Sequence, residues 1–123
     1  MHLSFLTSEY PHPRVNRAAG IGTSIKNLAE GLIKQNIKVS LFIYGQAENV
    51  VFEERGITFH LIKQIEYMIF GWFLYRKHLA KYMNRTISKD QIDVIEAADW
   101  TGITAFMNLK AFLVIRLHGT DAY

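Results

Sequence analysis

The sequence contains no cysteine. Disulfide scaffolds, thiolate metal sites and thiol nucleophiles are therefore excluded, and the composition suits a reducing compartment. It has only two prolines, Pro11 and Pro13, both in one early stretch, so no proline-rich linker divides the chain. The longest near-unbroken apolar run, residues 67–75, is nine residues, against the roughly 20 that a membrane-crossing helix needs. The first residues, MHLSFLTSEY, have neither a basic start nor an extended apolar stretch and do not read as a secretory signal. His2, His12, His60 and His78 show no metal-ligand spacing with one another or with a carboxylate. A G-x-S-x-G elbow is absent, which leaves serine hydrolysis without support. There is no internal repeat and no low-complexity tract.

What is present suits one folded domain. Hydrophobic residues make up 50% of the 123 residues and charged residues 20%, which rules out a disordered chain. The formal charge is +3. Residues 63–89 hold six Lys/Arg and one acidic residue, while the rest hold eight basic and ten acidic. The basicity is thus one local patch rather than a general surface property, which argues against a nucleic-acid partner.

Apolar patterning predicts strands over residues 3–7, 37–44, 57–62, 92–97 and 112–117. Residues 21–35 have helical spacing, with Ile21, Ile25, Leu28, Ala29, Leu32 and Ile33 on one stripe and Asn36 as a stop. A second helical pattern runs through residues 67–88, with Tyr75, Leu79, Tyr82 and Met83 on one face and Lys77, Lys81 and Arg85 on another. Strands alternating with helices predict an α/β fold, a Rossmann-like parallel sheet with helices on both faces. Such sheets place ligands outside the carboxyl ends of their strands.

Three loops at that edge carry polar chemistry. After the first strand, RAAGIGTSIKNLAEGL leads into the first helix. Gly20, Ile21 and Gly22 offer free N–H groups at a helix start, an anion site to which Arg14 and Arg17 could add charge. The same glycines also suit a simple turn, and both readings stand at this point. A dinucleotide fingerprint is not met, because the third glycine position is Ile25, and a phosphate loop is absent. At or just beyond the carboxyl end of the fourth predicted strand come Glu96 and Asp99, beside Trp100; just past the fifth come His118, Gly119 and Asp121. Carboxylates, an indole and an imidazole at one edge suit a hydroxyl-rich ligand. Helix capping by Glu96 or Asp99 and core filling by Trp100 are the plainer alternatives.

Taken together, these segments resemble the N-terminal domain of retaining glycosyltransferases of family 4, in the GT-B fold group. The resemblance rests on AAGIGTSIKNLAEGLIKQNIKVSLF (residues 18–42), on DVIEAADW (93–100) and on the apolar strand ending in His-Gly-Thr-Asp (113–121). The first glycine of the family's pair is Ala19 here. The resemblance implies transfer of a sugar from a nucleotide diphospho-sugar to an acceptor hydroxyl, with retention and with no cofactor. Gly20, Ile21 and Gly22 would then face the donor diphosphate and His118 the donor sugar as the catalytic residue. Glu96, Asp99, Trp100, Arg14 and Arg17 would lie on the acceptor side.

The resemblance further implies that residues 1–123 are a single Rossmann-like, acceptor-side domain, itself incomplete, of an enzyme whose C-terminal donor-binding domain is absent here. The isolated chain is expected to be inactive. The expected partners are the nucleotide-sugar donor, a glycan or lipid-linked acceptor and the missing domain. The expected location is cytoplasmic. Two other classes stay open: a non-catalytic nucleotide- or sugar-binding module, and a membrane-surface module docking through residues 67–88.

Overall fold

Runs of β-branched and aromatic residues alternate with amphipathic helices to give eight elements in the computed structural model, which describes residues 1–15, 20–98, 103–104 and 107–116. These are β1 (His2–Thr7), α1 (Gly20–Lys34), β2 (Lys38–Gln46), β3 (Val50–Glu54), β4 (Ile57–Lys63), α2 (Gly71–Asp90), β5 (Val94–Ala98) and β6 (Phe112–Arg116). The strands form one six-stranded sheet in the order β3-β4-β2-β1-β5-β6. Every pairing is parallel except β3 with β4. The predicted parallel α/β sheet with helices on both faces is what the structure shows.

Alternation along the strands assigns each side chain to one of two cores. Phe5, Leu41, Ile43, Phe59 and Leu61 pack with Ile25 and Ala29 of α1. Leu6, Phe42, Ile62 and Ile95 pack with Tyr75, Leu79, Met83 and Ile87 of α2. The neighbours Phe5 and Leu6 therefore serve opposite faces, as a period of two requires. On α1, Leu28 departs from the predicted stripe and is exposed. Asn36 does end α1: it adopts φ 64°, and the Ile37 N–H reaches back to the Leu32 carbonyl at 3.1 Å. This is the bonding pattern of a left-handed helix stop.

The element missing from the sequence reading is β3. Its residues Val-Val-Phe-Glu-Glu run into Arg55 and Gly56, which both take positive φ, 54° and 79°. Two left-handed residues between antiparallel strands make a tight hairpin turn. Phe52 stacks on Phe59 across that hairpin, with ring centroids 4.7 Å apart.

Phe70, the residue before α2, is left-handed at φ 55° and makes no side-chain capping bond. For a bulky L-residue that conformation costs about 1–2 kcal/mol. At the other end of the parallel strands, His2 bonds Ser40 at 2.7 Å and the Asp90 carbonyl at 3.1 Å, tying the end of α2 to the sheet.

Candidate functional site

Sheet topology selects the place. From β1 the chain moves outward through β2 to β4, then crosses by way of α2 to β5 on the other side of β1. Strand order therefore reverses between β1 and β5. At such a switch point the connections leave toward opposite faces and open a crevice beyond the carboxyl ends. The loops after β1, β5 and β6 share that edge, because these three adjacent strands run parallel.

The start of α1, which follows β1, lies at that edge. A helix leaves its first four N–H groups without helical partners, and its dipole favours negative charge there. The first turn of α1 contains no acidic residue. Glu9 supplies the charge instead: its carboxylate is buried and accepts the Gly22 N–H at 3.0 Å. Thr7 fixes the turn that delivers it. The Thr7 hydroxyl accepts the Glu9 N–H (3.2 Å) and donates to the Glu9 carbonyl (3.0 Å). Gln46, buried at the end of β2, donates to the carbonyls of Tyr44 (3.0 Å) and Ser8 (3.5 Å), which holds the same loop to the sheet.

Gly22 has a packing reason to be glycine. A Cβ there would stand 3.1 Å from backbone atoms of Tyr10. Gly22 permits close approach of the loop, and its N–H donates to an anion. The anion it holds is the protein's own carboxylate. The sequence reading did not single out Glu9. The signal was there, since no Asp or Glu occurs between Glu9 and the start of α1.

Gly20 and Ile21 form the first turn of α1 with Gly22. Glu96 lies in the middle of β5 rather than at its end, level with Phe5 of β1 and Val114 of β6. Its neighbours Ile95 and Ala97 belong to the α2-side core, so Glu96 faces the α1 side of the sheet. This corrects its expected place at the strand terminus: β5 runs to Ala98. Arg14 is not directed to the helix start. Its guanidinium lies over the Phe52 ring, 4.6 Å from the centroid, on edge strand β3. Loop residues 10–15 lead it there, because Tyr10 packs edge-on to Phe59 and His12 pairs with Glu54. Arg17, Asp99, Trp100 and His118 lie outside the described residues.

That loop also lines a cleft of about 280 Å³ with Lys26, Glu30 and Arg55. Burial, with Glu30 adding to it, pushes the Tyr10 phenol up to about 12, so it stays protonated at neutral pH. Under α2, His60 is buried, stacks on Phe42 at 5.0 Å and shares a 3.0 Å hydrogen bond with the Tyr82 hydroxyl. Burial holds its pKa below the ordinary histidine value. Among the described residues, no three His, Asp or Glu side chains gather where a metal ion could sit.

A doubly wound sheet with its switch point between β1 and β5, and a helix start opened by Gly22 at the same carboxyl edge, define a Rossmann-like α/β domain. The chain belongs to glycosyltransferase family 4, whose family model matches residues 18–123. The matched span contains Gly20, Ile21, Gly22, Glu96, Asp99, Trp100 and His118; Glu9, Arg14 and Arg17 precede it. No curated protein matches the chain.

Proposed function

We propose that this protein is the N-terminal, acceptor-side module of a GT-B enzyme that moves a sugar from a nucleotide diphospho-sugar to an acceptor hydroxyl with retention. The observation that carries the reading is the family match over residues 18–123, with the helix start of α1 set beside the switch point. Negative charge grows on the donor diphosphate as the glycosidic bond breaks. Fixed N–H donors of Gly20, Ile21 and Gly22 would stabilise that charge more in the transition state than in the ground state. His118 would stand beside the donor sugar and stabilise positive charge developing at the anomeric carbon. Asp99 and Trp100 would border the acceptor, with Glu96 further back along β5. A C-terminal domain would supply most of the nucleotide site.

Glu9 gives this reading a specific consequence. A diphosphate reaching Gly22 would have to displace the Glu9 carboxylate, and like charges would oppose it. Glu9→Gln keeps an acceptor for the N–H and removes the charge. It should tighten binding of a nucleoside diphosphate several-fold by calorimetry. In an enzyme that carries both domains, His118→Ala should lower kcat on the order of 100-fold. Unchanged kinetics in that variant would remove His118 from the site. Diphosphate binding with no turnover by the two-domain enzyme on any nucleotide-sugar would favour a binding module instead.

A further inference from the structure

Residues 68–74 expose five large apolar side chains in one short stretch: Met68, Ile69, Phe70, Trp72 and Leu74. Met68, Phe70 and Trp72 are 102%, 71% and 56% exposed. Soluble surfaces scatter such residues singly; a continuous group marks an interaction site. The left-handed backbone at Phe70 strengthens the point. The ring sits in a conformation unfavourable for its type, yet gains little burial in return.

The charge beside this group is of one sign. From Tyr67 to Lys89 the chain has five Lys/Arg and no Asp/Glu. Helical spacing puts Leu74, Lys77, Lys81, Arg85 and Ser88 on one stripe, and all of them are exposed. Tyr75, Leu79, Met83 and Ile87 form the opposite, buried stripe. Among the described residues, Lys77, Lys81, Arg85 and Lys89 form no salt bridge. Lys81, Arg85 and Lys89 join Lys110 around an open hollow of about 660 Å³ whose lining contains no acidic residue. Arg76 lies 5.1 Å from the Trp72 ring centroid, so charge and aromatic are adjacent.

We propose that the start and outer face of α2 form a docking surface for an anionic lipid bilayer. An apolar lip with Trp and Phe enters the headgroup boundary, and the cationic stripe behind it lies on the anionic surface. A second copy of this chain is the poorer occupant, because two such stripes brought together would repel. The lip stands at the carboxyl edge of the sheet. There the Tyr75 hydroxyl donates to the Lys63 carbonyl (3.1 Å) and accepts the Gly45 N–H (3.0 Å), pinning the first turns of α2 beside the ends of β4 and β2. Docking would therefore bring the crevice edge toward the membrane. Lipid binding itself does not depend on the proposed sugar transfer, and its test uses no enzyme activity.

The test is sedimentation of the purified protein with phosphatidylcholine vesicles, with and without phosphatidylglycerol, at low and high salt. Trp72 emission, read in a Trp100→Phe background, reports insertion. Binding is expected only with the anionic lipid, with a blue shift of Trp72, and it should weaken as salt screens it. Each cation removed should weaken binding roughly fivefold, so joint Lys77→Gln, Lys81→Gln and Arg85→Gln should lose about 100-fold. Phe70→Gly with Trp72→Gln should lose about tenfold or more while the helical signal is retained. Equal binding to neutral vesicles, no binding to anionic vesicles at low salt, or an unshifted Trp72 would each overturn the proposal. So would a dimer in equilibrium sedimentation that Phe70→Gly and Trp72→Gln dissolve, since a second copy would then cover the lip.

Discussion

At the start of α1 a buried carboxylate, Glu9, accepts the Gly22 N–H, whereas at the start of α2 Phe70 holds the capping position with a left-handed backbone and no side-chain bond. Both helices begin at the carboxyl edge of the same sheet, and neither has an acidic residue in its first turn. The helix dipole poses the same electrostatic problem twice. In α1 a distant residue of the preceding loop answers it, and glycine lets that loop lie against the helix. In α2 the capping residue Phe70 makes no side-chain bond, and exposed apolar side chains lie at the terminus instead. One terminus is organised around an anion within the protein. The other is a surface in which charge and apolar area lie side by side.

The comparison breaks most visibly if α2 is not anchored from below. Leu79 is fully buried at the centre of the α2-side core. Leu79→Ala should cost about 2–5 kcal/mol, measured by urea denaturation. A cost under 1 kcal/mol would mean that the helix is held mainly by its outer face. Glu9→Ala comes next. It strands a buried N–H and should cost about 1–3 kcal/mol, whereas Glu9→Gln should recover much of that loss. Equal losses in the two variants would show that the carboxylate charge, not the hydrogen bond, matters at the start of α1.

The two cores should also separate by pH. His60 lies on the α2 side, and burial favours its neutral form. Among the described residues its Nε2 has no hydrogen-bond partner, so a second ring proton would be buried unpaired. The unfolded chain, with histidine near 6.5, then binds protons more readily than the folded one. Stability should be full above about 6.5 and fall as the pH drops toward the lowered folded value. Thermal melts of wild type and His60→Gln from neutral to mildly acidic pH check this. The variant should lose the part of the slope that His60 supplies and keep that of His78, whose pKa burial also lowers.

Much of this architecture was legible before any coordinates. Ile25, Ala29, Tyr75, Leu79 and Met83 carry helical periods strong enough to name the buried faces, and the strands of the parallel sheet are continuous apolar runs. β3 was not, because Val-Val-Phe-Glu-Glu is short, does not alternate apolar with polar residues, and turns through Arg-Gly rather than Asn-Gly. The carboxyl edge of the sheet was legible, because it follows from topology; the contacts made there were not. That Glu9 fills the anion position depends on the path of a loop. So does the turning of Arg14 away to Phe52. Periodicity carries no information about either.

The smallest effect offers the sharpest discrimination, because two readings of α2 give it different signs. Phe70 is exposed and left-handed, and the Leu74 N–H bonds its carbonyl at 2.9 Å. Phe70→Gly keeps that carbonyl and relieves the conformational cost of the ring. It also gives the unfolded chain more freedom, which offsets about 0.4–1 kcal/mol. With about 1–2 kcal/mol relieved, the folded protein should gain up to roughly 1.6 kcal/mol, seen as a small rise in Tm. If the ring merely fills space on the folded chain, the same change should lower Tm, and vesicle binding should be unaffected. If the ring belongs to a lipid-facing lip, Tm should rise while binding to anionic vesicles falls. A gain in stability paired with a loss of binding is the mark of a residue kept for contact rather than for folding.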